Sequence, residues 1–322
     1  MPTWKKVTFV VVLTAFIGLS VFFTFYSIAR DTFEFEERTN VGEIEGLNGW
    51  VFYGFCGNPS TKTVNIDFAT DKKGENADRS KPVVGVDDFT IVSDEYVEYI
   101  HIGKDVRFIS EQAFYYCKQL KAVTVDEGNE YFCSVNGCLY SKDKSVLLLR
   151  PIKNGDWLVE NGLAQTNDTF AIPEGVERIA GWSFYKNTEL VHLTFPSTVR
   201  EIGDMAFFGC NNLWSIWLNE GLQKIGKDAF SYCWCMSPIM YIPSTVTEIG
   251  DNAFFSCSAL SIFYMGASGD ENIQQGSDWL PKSIKGGIVN KAPEPVYGKT
   301  LEDALAEKDR IDAENAAKEA GK

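Results

Sequence analysis

Eight cysteines and two histidines are the residues of this 322-residue sequence with the most latent chemistry. Cys117, Cys210, Cys233 and Cys257 each stand three residues after an Ala-Phe pair. Four thiols at one recurring position would supply a metal ladder or a set of disulfides. Asn187 takes the same place in a further unit. That substitution points instead to a small interior side chain that hydrogen-bonds loop backbone. Cys133 and Cys138 flank a tight turn at 134–137, and an exported chain would oxidise such a pair where its geometry allows. Cys233-x-Cys235 is too short for the usual zinc spacing, and Cys56 has no evident partner. His101 and His192 fall on strands with no nucleophile or carboxylate beside them by pattern, and read as surface residues. No G-x-S-x-G, H-E-x-x-H, phosphate-loop or Asp-x-Asp-x-Asp-Gly motif is present. The sequence therefore nominates no catalytic residue, no metal ligand and no cofactor.

The elements that position these residues are repeats. An Ile, an Ala-Phe pair, a Cys and a Leu recur in five units. Ile109, Phe114, Cys117 and Leu120 belong to the first, and Ile179, Ser183, Phe184, Asn187 and Leu190 to the second. Ile202, Phe207, Cys210 and Leu213 mark the third, Ile225, Phe230, Cys233 and Met236 the fourth, and Ile249, Phe254, Cys257 and Leu260 the fifth. The second, third and fourth Ile are spaced by 23 residues and the fourth and fifth by 24. The 70 residues from Ile109 to Ile179 leave room for two degenerate coils. Pro-Ser-Thr-Val at 196–199 and 243–246 turns the chain into a coil. The Ala-Phe pair is expected in a short helical turn, and the Leu-x-x-Ile-x-Leu stretch that follows alternates as a strand does. One coil cannot bury its own Phe and Leu, so the pattern predicts a stacked α/β solenoid with Phe114, Phe184, Phe207, Phe230 and Phe254 inside.

The stretches "FPSTVREIGDMAFFGCNNLWSIWL" (195–218) and "IPSTVTEIGDNAFFSCSALSIF" (242–263) resemble the BspA-type (Treponema pallidum-type) leucine-rich repeat. The resemblance covers residues 97–265. "VDEGNEYFCSVNGCLYSKDKSVLLLRP" (125–151) is similar to a hairpin insertion of bacterial members, placed here near 126–151. The resemblance implies a right-handed superhelix with a concave β-sheet, display at the cell surface, and adhesion or protein binding without catalysis. Ser183 and Asn187 depart from the motif. The fourth unit departs by one extra residue and Pro238, which bears on its strand register.

Within that frame, Val123, Leu193, Ile216, Met240 and Phe263 point inward. The residues on either side point outward, among them Thr124, Thr194, Ala122 and His192. Trp217, Tyr241 and Tyr264 then form an aromatic stripe on three neighbouring strands, about 4.8 Å apart, bordered by Trp214. With His192, these are the candidate ligand-binding residues, for an extracellular protein or a glycan. The competing readings are rings that only stabilise the sheet as cross-strand pairs, or a scaffold of the envelope or cell–cell contacts that self-associates laterally.

Residues 1–6 carry Lys5 and Lys6 ahead of an uncharged run at 7–29, followed by Arg30, Asp31 and Glu34. The run is long enough to span a bilayer, and the flanking charge puts the remainder outside the cytoplasm. It reads as a transmembrane signal anchor, or as a signal peptide with release after Ala29. Residues 30–96 read as a β-rich N-terminal cap with strands near 50–55, 63–68 and 89–92 and an exposed loop at 71–82. Residues 266–299 read as a C-terminal cap with a half-coil around Trp279, Leu280 and Ile288, and 300–322 as a charged helical or disordered tail. A formal charge of −14 opposes binding to phosphate backbones, so nucleic acid is excluded as a partner class.

Overall fold

The computed structural model describes residues 32–42, 44–57, 59–70, 74, 76–236, 239–258, 260, 262–265, 274–275, 277 and 288–289. The anchor run and the tail lie outside the described residues, as do Pro238, Trp279 and Leu280. No helix among the described residues is long and apolar enough to cross a membrane.

Each coil contributes two short strands joined by turns. The first is two residues long and ends on the motif isoleucine, as in Arg178–Ile179, Glu201–Ile202, Lys224–Ile225 and Glu248–Ile249. These pair in parallel with Ile on Ile, and Gln274–Gln275 extends the ladder beyond them. The second strand carries the alternating stretch: Ala122–Val125, His192–Thr194, Ser215–Trp217, Ile239–Ile242 and Ile262–Met265. Ile288–Val289 pairs with Phe263 and Tyr264 and adds a further strand to that row.

The Ala-Phe pairs do not form the expected helical turns. They lie in non-helical turns whose N–H groups leave the coil. Met205, Phe207 and Gly209 donate to the carbonyls of Lys227, Ala229 and Ser231 at 2.8 Å each. Asp228, Phe230 and Tyr232 repeat this toward Asp251, Ala253 and Phe255. Two residues of each turn, four apart, are left-handed, with φ of 54° at Met205 and 68° at Gly209, 52° at Asp228 and 62° at Tyr232, and 54° at Asn252 and 59° at Ser256. Bonds that run between coils replace the i→i−4 bonds of a helix. The α-helix Asn154–Glu160 belongs to the insertion and not to the repeat.

Inside the stack, Phe184, Phe207, Phe230 and Phe254 form one column. Successive ring centroids lie 4.7, 5.1 and 5.3 Å apart, with interplanar angles of 26°, 1° and 6°. Phe114 is buried in a second cluster with Phe52, Ile66, Ile100 and Leu120, so the column does not run the length of the molecule. The hairpin insertion separates the two cores. Its strands Phe132–Val135, Cys138–Ser141 and Val146–Leu149 continue the isoleucine ladder, Leu147 lying on Ile179. Between Ile109 and Ile179 the chain thus forms a hairpin and one enlarged coil rather than two degenerate coils.

In the N-terminal region, Val86 pairs in parallel with Ile109, and Ile100 with Val123. Both offsets are 23 residues, so coil geometry already operates there. The strand Ala77–Val86 takes in the second half of 71–82, which the sequence reads as an exposed loop. Pairing of Val83, Gly85 and Val86 with the strand Gly49–Cys56 draws it into the sheet. Around 89–92 only Ile91 makes a β-bridge, to Phe55.

Candidate functional site

The strand row presents one outward residue per coil. By register these are Asn65, His101 and Thr124 in one sheet, Ala171, Thr194 and Trp217 in a second, and Tyr241 in a third, where the backbone of Tyr264 pairs with Tyr241 and with Val289 while the side chains of Tyr264 and Val289 lie outside the described residues. Inward neighbours Val123, Leu193, Ile216 and Met240 are buried, as alternation requires. The row passes from polar groups at its N-terminal end to half-buried Trp217 and Tyr241. Trp214, also half-buried, donates its backbone N–H to the carbonyl of Val191.

Two expectations for this face are corrected. His192 is 5% exposed and Ala122 is 1% exposed, so neither of these residues before the inward position faces solvent. At Ala122 the cause is the insertion. Its turn glycine, Gly137, packs against Ala122, Asn154 and Trp157, bringing the insertion's helix over this edge of the sheet. Nor does one continuous ladder carry the three aromatic positions. Tyr241 and Tyr264 are paired residues, but the strands bearing Trp217 and Tyr241 belong to separate sheets. The break falls in the fourth unit, where the extra residue lengthens the coil.

His101 has neighbours that no linear pattern reveals. Its Nδ1 lies 3.0 Å from the Thr124 hydroxyl, and its Nε2 lies 3.8 Å from Asp67. The contact to Asp67 is too long for a hydrogen bond, and the Thr124 hydroxyl also reaches the carbonyl of Ile100 at 3.5 Å. The group is a surface polar cluster of the strand row. A cavity of about 30 Å³ lies between Phe114, Leu139, Leu149 and Tyr185, room for a water or two rather than a substrate. A larger open groove of about 570 Å³ lies on the N-terminal sheet beside Trp50, Tyr53, Asp78 and Lys81. Neither touches His101.

The motif cysteines are structural in geometry. Cys210, Cys233 and Cys257 are fully buried, and their thiols donate to the carbonyls of Phe184, Phe207 and Phe230 at 3.1, 3.2 and 3.1 Å. Cys117 does the same toward Ile91 at 3.5 Å. Each thiol therefore ties its coil to the preceding one. Burial pushes Cys210 and Cys257 up to about 12, away from the thiolate that binds metal. Among the described residues no group of three or more His, Cys, Asp or Glu side chains is placed to hold a metal ion.

Cys133 and Cys138 are not joined. The two-residue turn Asn136-Gly137 pairs Cys138 with Val135 and Cys133 with Tyr140, so the two cysteines are diagonal. Diagonal neighbours lie about 7–8 Å apart, beyond the usual Cα span of about 4.4–6.8 Å for a disulfide. Cys133 donates instead to the Ser141 carbonyl at 3.3 Å, and Cys138 to Asn154 Oδ1 at 3.5 Å.

A stacked solenoid with an occupied interior and outward strand and turn faces belongs to the leucine-rich-repeat class of protein. The chain is a member of the BspA-type leucine-rich repeat family, whose repeat matches in six copies over residues 88–136 and 164–276. Among solved structures it is similar to the pneumococcal vaccine antigen PcpA, at 22% identity with a TM-score of 0.55, over 76% of this chain and 64% of that one. It is also similar to a leucine-rich cell surface protein of Faecalibacterium prausnitzii, at 21% identity with a TM-score of 0.49, over 70% of this chain and 60% of that one. The chain thus spans less than two thirds of either structure. No curated protein matches it.

Proposed function

We propose that this protein is a non-catalytic binding module displayed outside the cytoplasm, held by the apolar segment at 7–29 or released after Ala29. In this reading the coils form a right-handed superhelix, and the strand row is its concave recognition face for an extracellular protein or a glycan. The observation that carries the reading is the outward row itself. Its polar end at Asn65, His101 and Thr124 gives way to Trp217 and Tyr241, residue types favoured as interface anchors. Neither ring is needed for the Phe column, which the inward residues complete. The family and the fold of the pneumococcal antigen support a repeat scaffold of this kind.

The test is a binding screen of the full chain against matrix proteins and glycans, repeated with Trp217→Ser and Tyr241→Ser. Loss of about tenfold or more in affinity by variants that melt normally is the expected result. Unchanged binding by those folded variants would move the site off this face. Reversible self-association with no captured partner would favour the lateral scaffold.

A further inference from the structure

The turn face, on the other flank of each coil, carries a second aromatic row that the repeat does not need for its core. The residue after the interior phenylalanine, or the next one, is aromatic in every unit: Tyr115, Tyr185, Phe208, Tyr232 and Phe255. Tyr185 stacks on Phe208 at 5.2 Å and 9°. Phe208 meets Tyr232 at 5.2 Å, and Tyr232 meets Phe255 at 5.6 Å. The insertion does not interrupt this row. Tyr115 and Tyr185, 70 residues apart in sequence, lie at 4.8 Å with their hydroxyls 2.9 Å apart, and Trp182 packs on both at 5.4 and 4.6 Å.

The N-terminal end of the row has cations set against its rings. Lys186 Nζ lies 4.8 Å from the Tyr116 ring and 5.5 Å from the Tyr185 ring. Lys118 Nζ lies 5.4 Å from the same Tyr116 ring, and pairs with Glu95 at 2.6 Å. Lys186 makes no ion pair with a carboxylate among the described residues. Burial and then repulsion by Lys118 lower its pKa. In a chain of charge −14 this is an unneutralised cation held on aromatic rings, and the attraction of an incoming anion offsets both penalties.

We infer that the Tyr116–Trp182–Tyr185 cluster with Lys186 and Lys118 is a docking site for an acidic saccharide, its ring hydrogens on the aromatic groups and its carboxylate at Lys186. From Tyr185 to Phe255 the apolar strip is one ring wide, and it widens at its N-terminal end, where Phe89 packs on Tyr115 and Trp182 at 5.5 and 6.4 Å; of these rings only Phe89, at 45% exposure, and Phe255, at 37%, stand clear of their neighbours. A protein interface requires a broad desolvated centre. A narrow half-buried strip with a cation at one end fits a sugar acid better. The site is independent of the strand row proposed above.

The test is calorimetric titration of the full chain with oligogalacturonate and hyaluronan oligomers, with maltooligosaccharide as the neutral control and polyglutamate as the acidic peptide control. Binding to the uronic-acid oligomers is expected, weakening as salt rises. Lys186→Glu is expected to weaken it by about tenfold or more. Trp182→Asn removes the ring while keeping a residue that tolerates the φ of 63°, and is expected to do the same. Absence of uronic-acid binding overturns the inference. So do equal binding of the neutral sugar, preference for polyglutamate, or full binding by a folded Lys186→Glu variant.

Discussion

Arg150 stands where later coils carry a phenylalanine. Its N–H donates to the Ser183 carbonyl, as those of Phe184 and Phe207 donate to Ala206 and Ala229. The side chain is 1% exposed and lies 4.8 Å over the Phe170 ring, and its three guanidinium nitrogens have no hydrogen-bond acceptor among the described residues. The two departures from the motif, Ser183 and Asn187, are buried polar groups of the next coil. A buried charge in such surroundings costs more than a buried thioether. Arg150→Met is therefore expected to stabilise the fold by about 1–3 kcal/mol, read as a higher urea midpoint. A lower midpoint would mean that the guanidinium has an acceptor. The thiols add a pH dependence. Burial pushes Cys138, Cys210 and Cys257 up to about 12, whereas a thiol of the unfolded chain titrates near 8.5. Below the unfolded value both states keep their protons and stability is complete. As pH rises from about 9 toward 12, only the unfolded chain ionises and stability falls. Urea midpoints at about pH 8 and pH 10 should differ in that direction, and Cys210→Val should reduce the difference.

At the scale of the coil, close backbone approach matters as much as apolar burial. A Cβ on Gly226 would lie 2.6 Å from the Gly203 carbonyl carbon, and one on Gly250 would lie 2.7 Å from that of Gly226. The Asp204 carboxylate also lies 2.6 Å from the Cβ on Gly226, but the backbone of the preceding coil, unlike that side chain, cannot swing away. Gly226→Ala is expected to cost about 1–3 kcal/mol, measured by urea denaturation. A neutral result would show that the coils slide apart without penalty. The strands were legible because Ile and Val recur at fixed spacing and alternate inward and outward. The turns were not, since an Ala-Phe pair has ordinary helix propensity. It is the neighbouring coil's carbonyls, available only after stacking, that draw the N–H groups out of a helical pattern. The strand at Ala77–Val86 was hidden for the same reason, since its partner is another strand and not its own polar sequence.

At the scale of the molecule the described residues form two large cores, one around Phe52, Ile100 and Phe114 and one around the column from Phe184 to Phe254, and a small third cluster of Val41, Leu47, Val51 and Val84. Phe207→Ala leaves a gap between rings 4.7 and 5.1 Å away, and is expected to cost about 3–5 kcal/mol. Because each coil shelters only its neighbours, hydrogen exchange should accelerate in the coils from 184 to 260 while amides near 52–123 keep their protection. Uniform acceleration across both halves would show a single cooperative unit instead.

The family, the solenoid, the interior phenylalanines and the outward positions of Trp217 and Tyr241 all follow from sequence, because a 23-residue period leaves each residue type a fixed direction in the coil. That period is silent wherever the chain leaves it. The insertion removes the register for Arg150, and the extra residue of the fourth unit breaks the sheet between Trp217 and Tyr241. The burial of His192, the diagonal placement of Cys133 and Cys138, and the neighbours of His101 also belong to the tertiary structure. Each depends on a segment distant in sequence coming to lie against it, and local spacing carries no information about which segment arrives.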